Sequence, residues 1–420
     1  MANKNIVDLI NHLASVKADA SSTYTKTEVN SLTNANKALI EANTQADINN
    51  FNSLKEFIDA NGNSITELKI ESYQRSNKWE ADKLLITTPS KISVNINDKF
   101  YTRLSSVTIN ISNPTSWDDT TAMDYTVASN RAGKDFFIYA IEDENLHTIK
   151  FLVSANSTVP VGYTADSSRK IAGFHCLCLD VGTIEGHPAS GYITGDIIPN
   201  SIWDLKFRAM TDTNDGLVYV KSLNKWVAIY LPSWDGSKLV SVYKGAIVDG
   251  GSSFPLDGEQ FAEYIGEAGG ELPSRDEFKV FSFGSNQLTN INGSADPGTT
   301  GGHTDTAGRR MISNYFIEDC CGVLWQWSKD CYEAMSTSWN QGDNWMSGYS
   351  WQTQSVVSTI GPSDHKNLGS CYGLLRRALL GGSWGSGSAC GSRSVFCHGF
   401  GSHVPSNVSG RLVSGALNLS

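Results

Sequence analysis

The sequence has 420 residues and a formal net charge of −10 at pH 7, so it is long enough for two or three domains with separate hydrophobic cores. Hydrophobic residues make up 40% and charged residues 18% of the chain, and its 38 glycines and 11 tryptophans favour β structure with ordered loops over helical bundles. The acidic balance argues against nucleic acid as a partner, because phosphate binding requires a basic face.

The N-terminus and the cysteines indicate the cellular context. The sequence has no run of about 20 apolar residues that would predict a transmembrane helix, and residues 1–10 lack the apolar core of a signal peptide. We therefore expect synthesis in a cytoplasm without export by the usual signal. The cysteines show no Cys-x-x-Cys metal spacing, so we expect buried free thiols and not disulfides. They are Cys176, Cys178, Cys320, Cys321, Cys331, Cys371, Cys390 and Cys397.

Residues 1–74 are polar and rich in asparagine, and they are predicted to form a helical coiled-coil segment for trimerisation or attachment to a larger assembly. Apolar residues fall at a and d positions of a heptad pattern, which is typical of such a segment. They are Phe51, Leu54, Ile58, Ile65 and Leu68, with Asn61 at an intervening d position. An ordinary amphipathic helix that packs on its own domain is the alternative.

Residues 75–193 are predicted to form a β-sandwich spacer domain. Four segments, at 91–98, 106–112, 136–141 and 148–153, have the alternation or the apolar content of strands, and turn residues separate them. No group of residues in this part suggests a chemical site.

Residues 194–420 are predicted to form a third, α+β domain that is rich in tryptophan and glycine. Residues 256–265 have helical spacing that ends before Gly269 and Gly270. Ser274 and Glu277 have the spacing of a capping box and predict the start of a second helix. The predicted fold class is therefore mostly β, with an N-terminal helical stalk, a β-sandwich and an α+β C-terminal domain.

The segment at about 380–412 combines small residues with single bulky ones. From Gly381 to Gly410, 16 of 30 residues are Gly or Ser, yet Trp384, Arg393 and Phe396 interrupt the run in a way that linkers seldom show. Residues 385–420 also lack Lys, Glu, Gln, Met and Trp, the amino acids that no codon ending in a pyrimidine encodes. This bias is expected after mutagenesis of asparagine-type codons, and an accidental bias of a Gly/Ser-rich loop is the alternative.

Four motifs, in order, resemble the C-type-lectin fold of the formylglycine-generating-enzyme-like group. Residues 272–278 resemble its LP-x-x-x-E-[FW] helix start, and residues 321–327 resemble its G-x-v-W-E-W strand, with Gln326 in place of the usual Glu. Residues 381–384 resemble its GGSW strand, and residues 410–411 resemble its closing motif. The resemblance therefore implies a C-type-lectin fold for the predicted third domain.

Upstream segments extend the resemblance to the major tropism determinants, phage tail-tip receptor-binding proteins that a retroelement diversifies. Residues 162–175 and 201–208 are similar to segments of that family, and residues 24–32 resemble a motif of phage tail-fibre stalks. The resemblance, which spans about residues 100–420, implies a homotrimer in the virion tail, made in the bacterial host cytoplasm. The implied partners are a host-cell surface receptor, either protein or glycan, and other phage tail proteins, with no nucleic acid.

The same resemblance divides the region at about 380–412 into exchangeable receptor-binding positions and a fixed scaffold. The implied receptor-binding positions are Ser383, Gly385, Ser386, Gly387, Ala389, Phe396, His398, Gly399, Phe400, His403, Pro405, Asn407 and Val408. The implied scaffold positions are Gly381, Gly382, Trp384, Gly391, Ser392, Arg393 and Arg411. The aromatic and histidine side chains of the first group are expected to contact the receptor, because aromatic anchors dominate many interfaces, and core packing is the alternative.

Three other functions fit less of the sequence. A formylglycine-generating oxidase would need a close pair of reactive cysteines, and Cys390 and Cys397 have no neighbouring lysine. A calcium-dependent sugar lectin would need several acidic ligands, and no Asp or Glu follows Lys366. We therefore predict no enzymatic activity, no cofactor and no bound metal. A retroelement-diversified protein displayed on a bacterial surface is the third alternative.

Overall fold

The computed structural model describes residues 79–143, 148–333, 375–399 and 404–419. The predicted helical stalk at 1–74 lies outside these ranges. Three short α-helices occur in the described residues: α1 (Ala128–Arg131), α2 (Gly258–Glu267) and α3 (Arg275–Phe281).

The described strands fall into two groups along the chain. The first group is β1 (Glu80–Asp82), β2 (Leu85–Thr87), β3 (Ile92–Ile96), β4 (Lys99–Arg103), β5 (Thr108–Asn110), β6 (Asp135–Asp143), β7 (Thr148–Ser154), β8 (Ser168–His175) and β9 (Trp203–Asp204). The second group is β10 (Phe207–Ala209), β11 (Leu217–Val220), β12 (Lys225–Ala228), β13 (Pro232–Trp234), β14 (Leu239–Ser241), β15 (Trp325–Glu333), β16 (Leu375–Leu380), β17 (Val395–Gly399), β18 (Val408–Ser409) and β19 (Val413–Asn418).

Strands β1 to β9 enclose one hydrophobic core. They form a three-stranded sheet in the order β1-β2-β5, a β3-β4 hairpin and a four-stranded sheet in the order β7-β6-β8-β9. Phe136, Ile138 and Ala140 of β6 point into this core and are fully buried, as period-two alternation requires. The four segments predicted to be strands correspond to β3, β5, β6 and β7, so those predictions are confirmed.

Strands β10 to β19 form two four-stranded sheets, in the orders β10-β19-β12-β11 and β17-β16-β15-β18, together with the β13-β14 hairpin. The strands pair antiparallel except for β15 and β18, which are parallel. Both predicted helices are confirmed as α2 and α3, and Ser274 and Glu277 form the predicted capping box of α3. Helix α2 has a second capping box, between Asp257 and Gln260, that the sequence reading missed.

The core of the C-terminal part also takes in residues from before β10. Leu177, Cys178 and Ala189 pack with Phe278 and Leu380 in one buried cluster. The predicted domain boundary between residues 193 and 194 stays a prediction. The described residues are mostly β, and helices α2 and α3 make the C-terminal part α+β, as the sequence predicted. Within the described residues, no helix has the length and apolar character needed to cross a membrane.

Candidate functional site

The predicted site is built on the turn that follows β16. Gly381 and Gly382 have φ values of +92° and +91°, in the left-handed region that favours glycine. A Cβ atom on Gly381 would lie 2.5 Å from the carbonyl oxygen of Cys320. The GGSW motif was expected to be a strand, but β16 ends at Leu380, because this close approach requires a turn.

Loop 383–394, which follows this turn, is held by hydrogen bonds between backbone atoms. The N–H of Trp384 donates to the carbonyl of Val323 at 2.7 Å, and the N–H of Gly381 donates to the carbonyl of Ser394 at 3.0 Å. The N–H of Gly391 donates to the carbonyl of Gly381 at 3.0 Å. The course of the loop is therefore fixed largely by bonds that do not depend on the side chains at its tip.

The tip of loop 383–394 presents small side chains to solvent. Gly385 and Ala389 are exposed, and no other atom lies within 4 Å of a Cβ atom placed on Gly385 or Gly387. Ser386 is half-buried, and its hydroxyl accepts the N–H of Ser383 at 3.0 Å. Gly385 therefore has room for a larger side chain without displacing the backbone, whereas the φ of +52° at Gly387 favours glycine there.

Phe396 is the largest exposed side chain among the described receptor-binding positions. It lies on β17 with 46% of its surface exposed, and its ring centroid is 6.1 Å from that of Trp325 on β15. The backbone of His398 and Gly399 continues β17. Phe400 and His403 lie outside the described residues.

Four other predicted receptor-binding positions present little surface. Ser383 is buried, and Val408 packs in the core between the sheet and α2 with 2% exposure. Pro405 and Asn407 are half-buried, and the Asn407 carbonyl accepts the N–H of Trp325 at 3.0 Å. Among the positions whose side chains the structure describes, the accessible part of the predicted face is therefore the loop tip and Phe396.

The predicted scaffold residues are held in different ways. Trp384 is partly buried and packs on a cluster that includes Val323 and Met311. The N–H of Ser392 donates to the side-chain carbonyl of Gln287 at 3.2 Å. Arg393, which was expected to tie loops together, is exposed and donates no hydrogen bond to the described residues.

Arg411 is completely buried and ties together three separate segments of the chain. Its Nε donates to Oε1 of Gln326 at 2.8 Å, and its Nη1 donates to the carbonyls of Ala228 and Ile229 at 2.7 and 2.9 Å. Its Nη2 donates to the carbonyl of Glu318 at 2.8 Å. Burial lowers the pKa of Arg411, and these carbonyl oxygens offset part of the desolvation of the cation.

Gln326 stands where the lectin-like strand motif usually has Glu, and its hydrogen bonds account for this change. Its Nε2 donates to the carbonyls of Asp319 and Cys320 at 3.1 and 2.9 Å, while its Oε1 accepts from Arg411. An ionised glutamate could accept from Arg411 but could not donate to the two carbonyls. The amide therefore satisfies both sides of this buried position.

Two ion pairs extend this buried centre, and sequence reasoning missed both. Arg310 Nη2 lies 2.7 Å from Oε1 of Glu318, and His303 Nδ1 lies 3.0 Å from Oδ1 of Asp319. Burial alone would lower the pKa of His303, but the Asp319 carboxylate raises it overall. Burial raises the pKa of Glu318. His303 was interpreted as structural or at the surface, and no local sequence pattern pairs it with Asp319, sixteen residues away.

The described cysteines are free thiols, of which Cys390 is buried and Cys397 exposed. Burial raises the pKa of Cys390 to about 11, whereas a reactive thiol needs a lowered pKa. Within the described ranges, no group of three His, Cys, Asp or Glu side chains has the arrangement of a metal site.

Comparisons with known proteins agree with the fold. Residues 104–204 match the Mtd second domain. The tail fiber receptor-binding protein of Bordetella phage BPP-1 is 28% identical over 291 residues, which cover 64% of this chain and 68% of that protein.

Solved structures extend the similarity to the C-terminal part. The Major Tropism Determinant U1 Variant aligns with a TM-score of 0.60 and 25% identity, over 80% of this chain and 82% of that one. The M1 Variant, at 24% identity, aligns with a TM-score of 0.61 over 81% and 82% and supports the same fold. The resemblance predicted from the sequence motifs is confirmed: the chain is a homologue of the Bordetella phage tail fiber receptor-binding protein and has the fold of the major tropism determinants.

Proposed function

We propose that this chain is a phage tail receptor-binding protein that contacts a host-cell surface receptor through its C-terminal lectin-like face. The observation that carries the proposal is the construction of loop 383–394: backbone bonds fix its course, and its tip is open to solvent. The similarity to a tail fiber receptor-binding protein supports the same function. The contact positions are Gly385, Gly387, Ala389 and Phe396, together with the predicted His398, Phe400 and His403.

The proposal includes diversification of this face by a retroelement. A loop fixed through its backbone tolerates exchange of exposed side chains, because few of its stabilising bonds involve them. The absence of Lys, Glu, Gln, Met and Trp from residues 385–420 supports mutagenesis of pyrimidine-ending codons. Ser383 and Val408 are buried in this chain, so we place them at the edge of the exchangeable set.

The proposed assembly is a homotrimer in a virion tail, made in the host cytoplasm and joined to other tail proteins. The heptad pattern at residues 51–68 supports trimerisation. We infer a binding protein with no enzymatic activity, because burial raises the pKa of Cys390 and so opposes thiolate chemistry at this cysteine of the loop.

Adsorption of the purified full-length protein to host cells tests the proposal. Replacing Phe396, His398 and His403 together by Ala should abolish adsorption and leave the unfolding temperature nearly unchanged. Trp384→Ala should instead destabilise the fold by about 3 kcal/mol, because it removes a large ring that packs on buried side chains. If the triple variant unfolds while Trp384→Ala is as stable as the wild type, the division into contacts and scaffold is reversed.

A further inference from the structure

Leu288 combines two features that oppose folding. It is the most exposed large apolar side chain among the described residues, with 70% of its surface accessible. Its φ of +58° lies in the left-handed region, where the Cβ atom of an L-residue crowds the backbone. An exposed side chain gains little from burial, so packing does not compensate for this conformation.

Phe316 shows how burial of a side chain can compensate for a strained backbone. Phe316 is the other large apolar residue with positive φ in the described ranges, at +64°. It is only 4% exposed and packs in the main C-terminal core, which stabilises its strained backbone. The side chain of Leu288 has no comparable stabilisation from burial in a core. Strain without a packing explanation points to a function.

Hydrogen bonds hold the segment around Leu288 against loop 383–394. The N–H of Leu288 donates to the carbonyl of Cys390 at 2.9 Å. The side chain of Gln287 accepts from the N–H of Ser392 at 3.2 Å, and the side chain of Asn290 donates to a carbonyl of the same loop. Leu288 therefore keeps its position beside the loop tip whichever side chains occupy that tip.

We propose that Leu288 is a fixed apolar contact with the receptor at the edge of the exchangeable loop, and that the receptor presents an apolar protein surface there. The inference rests on the proposed receptor-binding function and adds a residue outside the region 380–412. Exposed Gly385, Ser388 and Ala389 lie in the adjoining loop and have neither carboxylate nor amide side chains. The amide of the neighbouring exposed Gln287 is already bonded to Ser285 and Ser392. A sugar buried against leucine would leave its hydroxyls unpaired, whereas an apolar protein surface would not.

The test measures binding of the full-length protein to host cells together with its unfolding temperature. Leu288→Asn should raise the unfolding temperature by about 2–4 °C, because asparagine adopts the left-handed region more readily. The same change should weaken binding at least about tenfold, because it removes the apolar contact. Leu288→Ala keeps the strained backbone and should weaken binding equally. Met210→Asn, which changes an exposed apolar residue beside Gly415, is the matched control and should bind like the wild type.

The outcomes separate this inference from the function on which it rests. If the wild-type protein does not bind host cells, the proposed function fails. If the wild type binds and both Leu288 variants bind equally well, only the role of Leu288 is overturned. Equal loss of binding by Met210→Asn also overturns it. Binding that survives protease treatment of the cells but is lost after periodate oxidation of their glycans rules out the protein surface.

Discussion

Loop 383–394 and the buried centre around Arg411 belong to the same C-terminal segment, but they are held in place differently. Backbone groups hold the loop, and a side chain holds the buried centre. In the loop, most of the bonds join backbone groups, apart from the Ser386 hydroxyl that accepts the N–H of Ser383, and Gly385, Ser388 and Ala389 at the tip are exposed to solvent. At Arg411 a single side chain bonds to the backbone of two segments and to the side chain of a third. The difference separates positions where the residue can change from positions where it cannot.

This comparison gives a physical meaning to the division between exchangeable and fixed positions. Backbone bonds are available to every residue except proline, so a loop built from them does not specify its side chains. A buried guanidinium specifies itself, because no other side chain offers five donors in a planar fork. Predicted receptor-binding and scaffold residues can therefore be told apart by measuring how the stability responds to each substitution.

The largest expected effect is at Arg411. Arg411→Ala should destabilise the chain by about 3–5 kcal/mol, because it leaves buried carbonyls and the Gln326 side chain without a donor. Urea denaturation of the full-length protein measures this change. Arg393→Ala is the matched control: Arg393 is exposed, so its loss should change the stability by no more than about 0.5 kcal/mol. Equal destabilisation by the two variants would contradict the comparison.

A smaller effect is expected at Asp257, the N-cap of α2 beneath the C-terminal sheet. Its Oδ1 accepts the N–H groups of Glu259 and Gln260, both at 2.9 Å, and burial raises its pKa to about 7. The folded state thus keeps a proton that the unfolded carboxyl loses near pH 4. Stability from this group is present at low pH and is lost as the pH rises toward and through 7.

Asp257→Asn removes this titration and keeps a side-chain oxygen for the cap. Between pH 5 and 7 the stability of the variant should therefore fall less than that of the wild type, by about 2 kcal/mol at 1.36 kcal/mol per pKa unit. Urea denaturation at a series of pH values measures the difference. Parallel pH profiles for the two proteins would show that Asp257 is ionised throughout this range.

Local patterns predicted the helices and strands, because periodicity and capping involve residues close in the chain. The capping box at Ser274 and the alternation at residues 91–98 are of this kind. The hydrogen bonds of Arg411 were not predictable, because Arg411 and Glu318 lie 93 residues apart and no short motif joins them. The exposure of individual side chains was not predictable for the same reason: Val408 lies in a Gly/Ser-rich stretch, yet tertiary packing buries it.

The smallest expected effect distinguishes two glycines only three residues apart. Gly382 has a φ of +91°, and a Cβ atom there would lie 2.8 Å from Sγ and 3.0 Å from Cα of Cys390. Gly382→Ala should therefore destabilise the chain by about 1–2 kcal/mol, from backbone strain and crowding. Nothing lies within 4 Å of a Cβ atom on Gly385, and its φ is not in the left-handed region. Gly385→Ala should be neutral or stabilise by up to about 1 kcal/mol, because it restricts the unfolded chain. Thermal unfolding of the two variants side by side measures the contrast, and a Gly385→Ala variant as unstable as Gly382→Ala would mean that the loop tip specifies its residues after all.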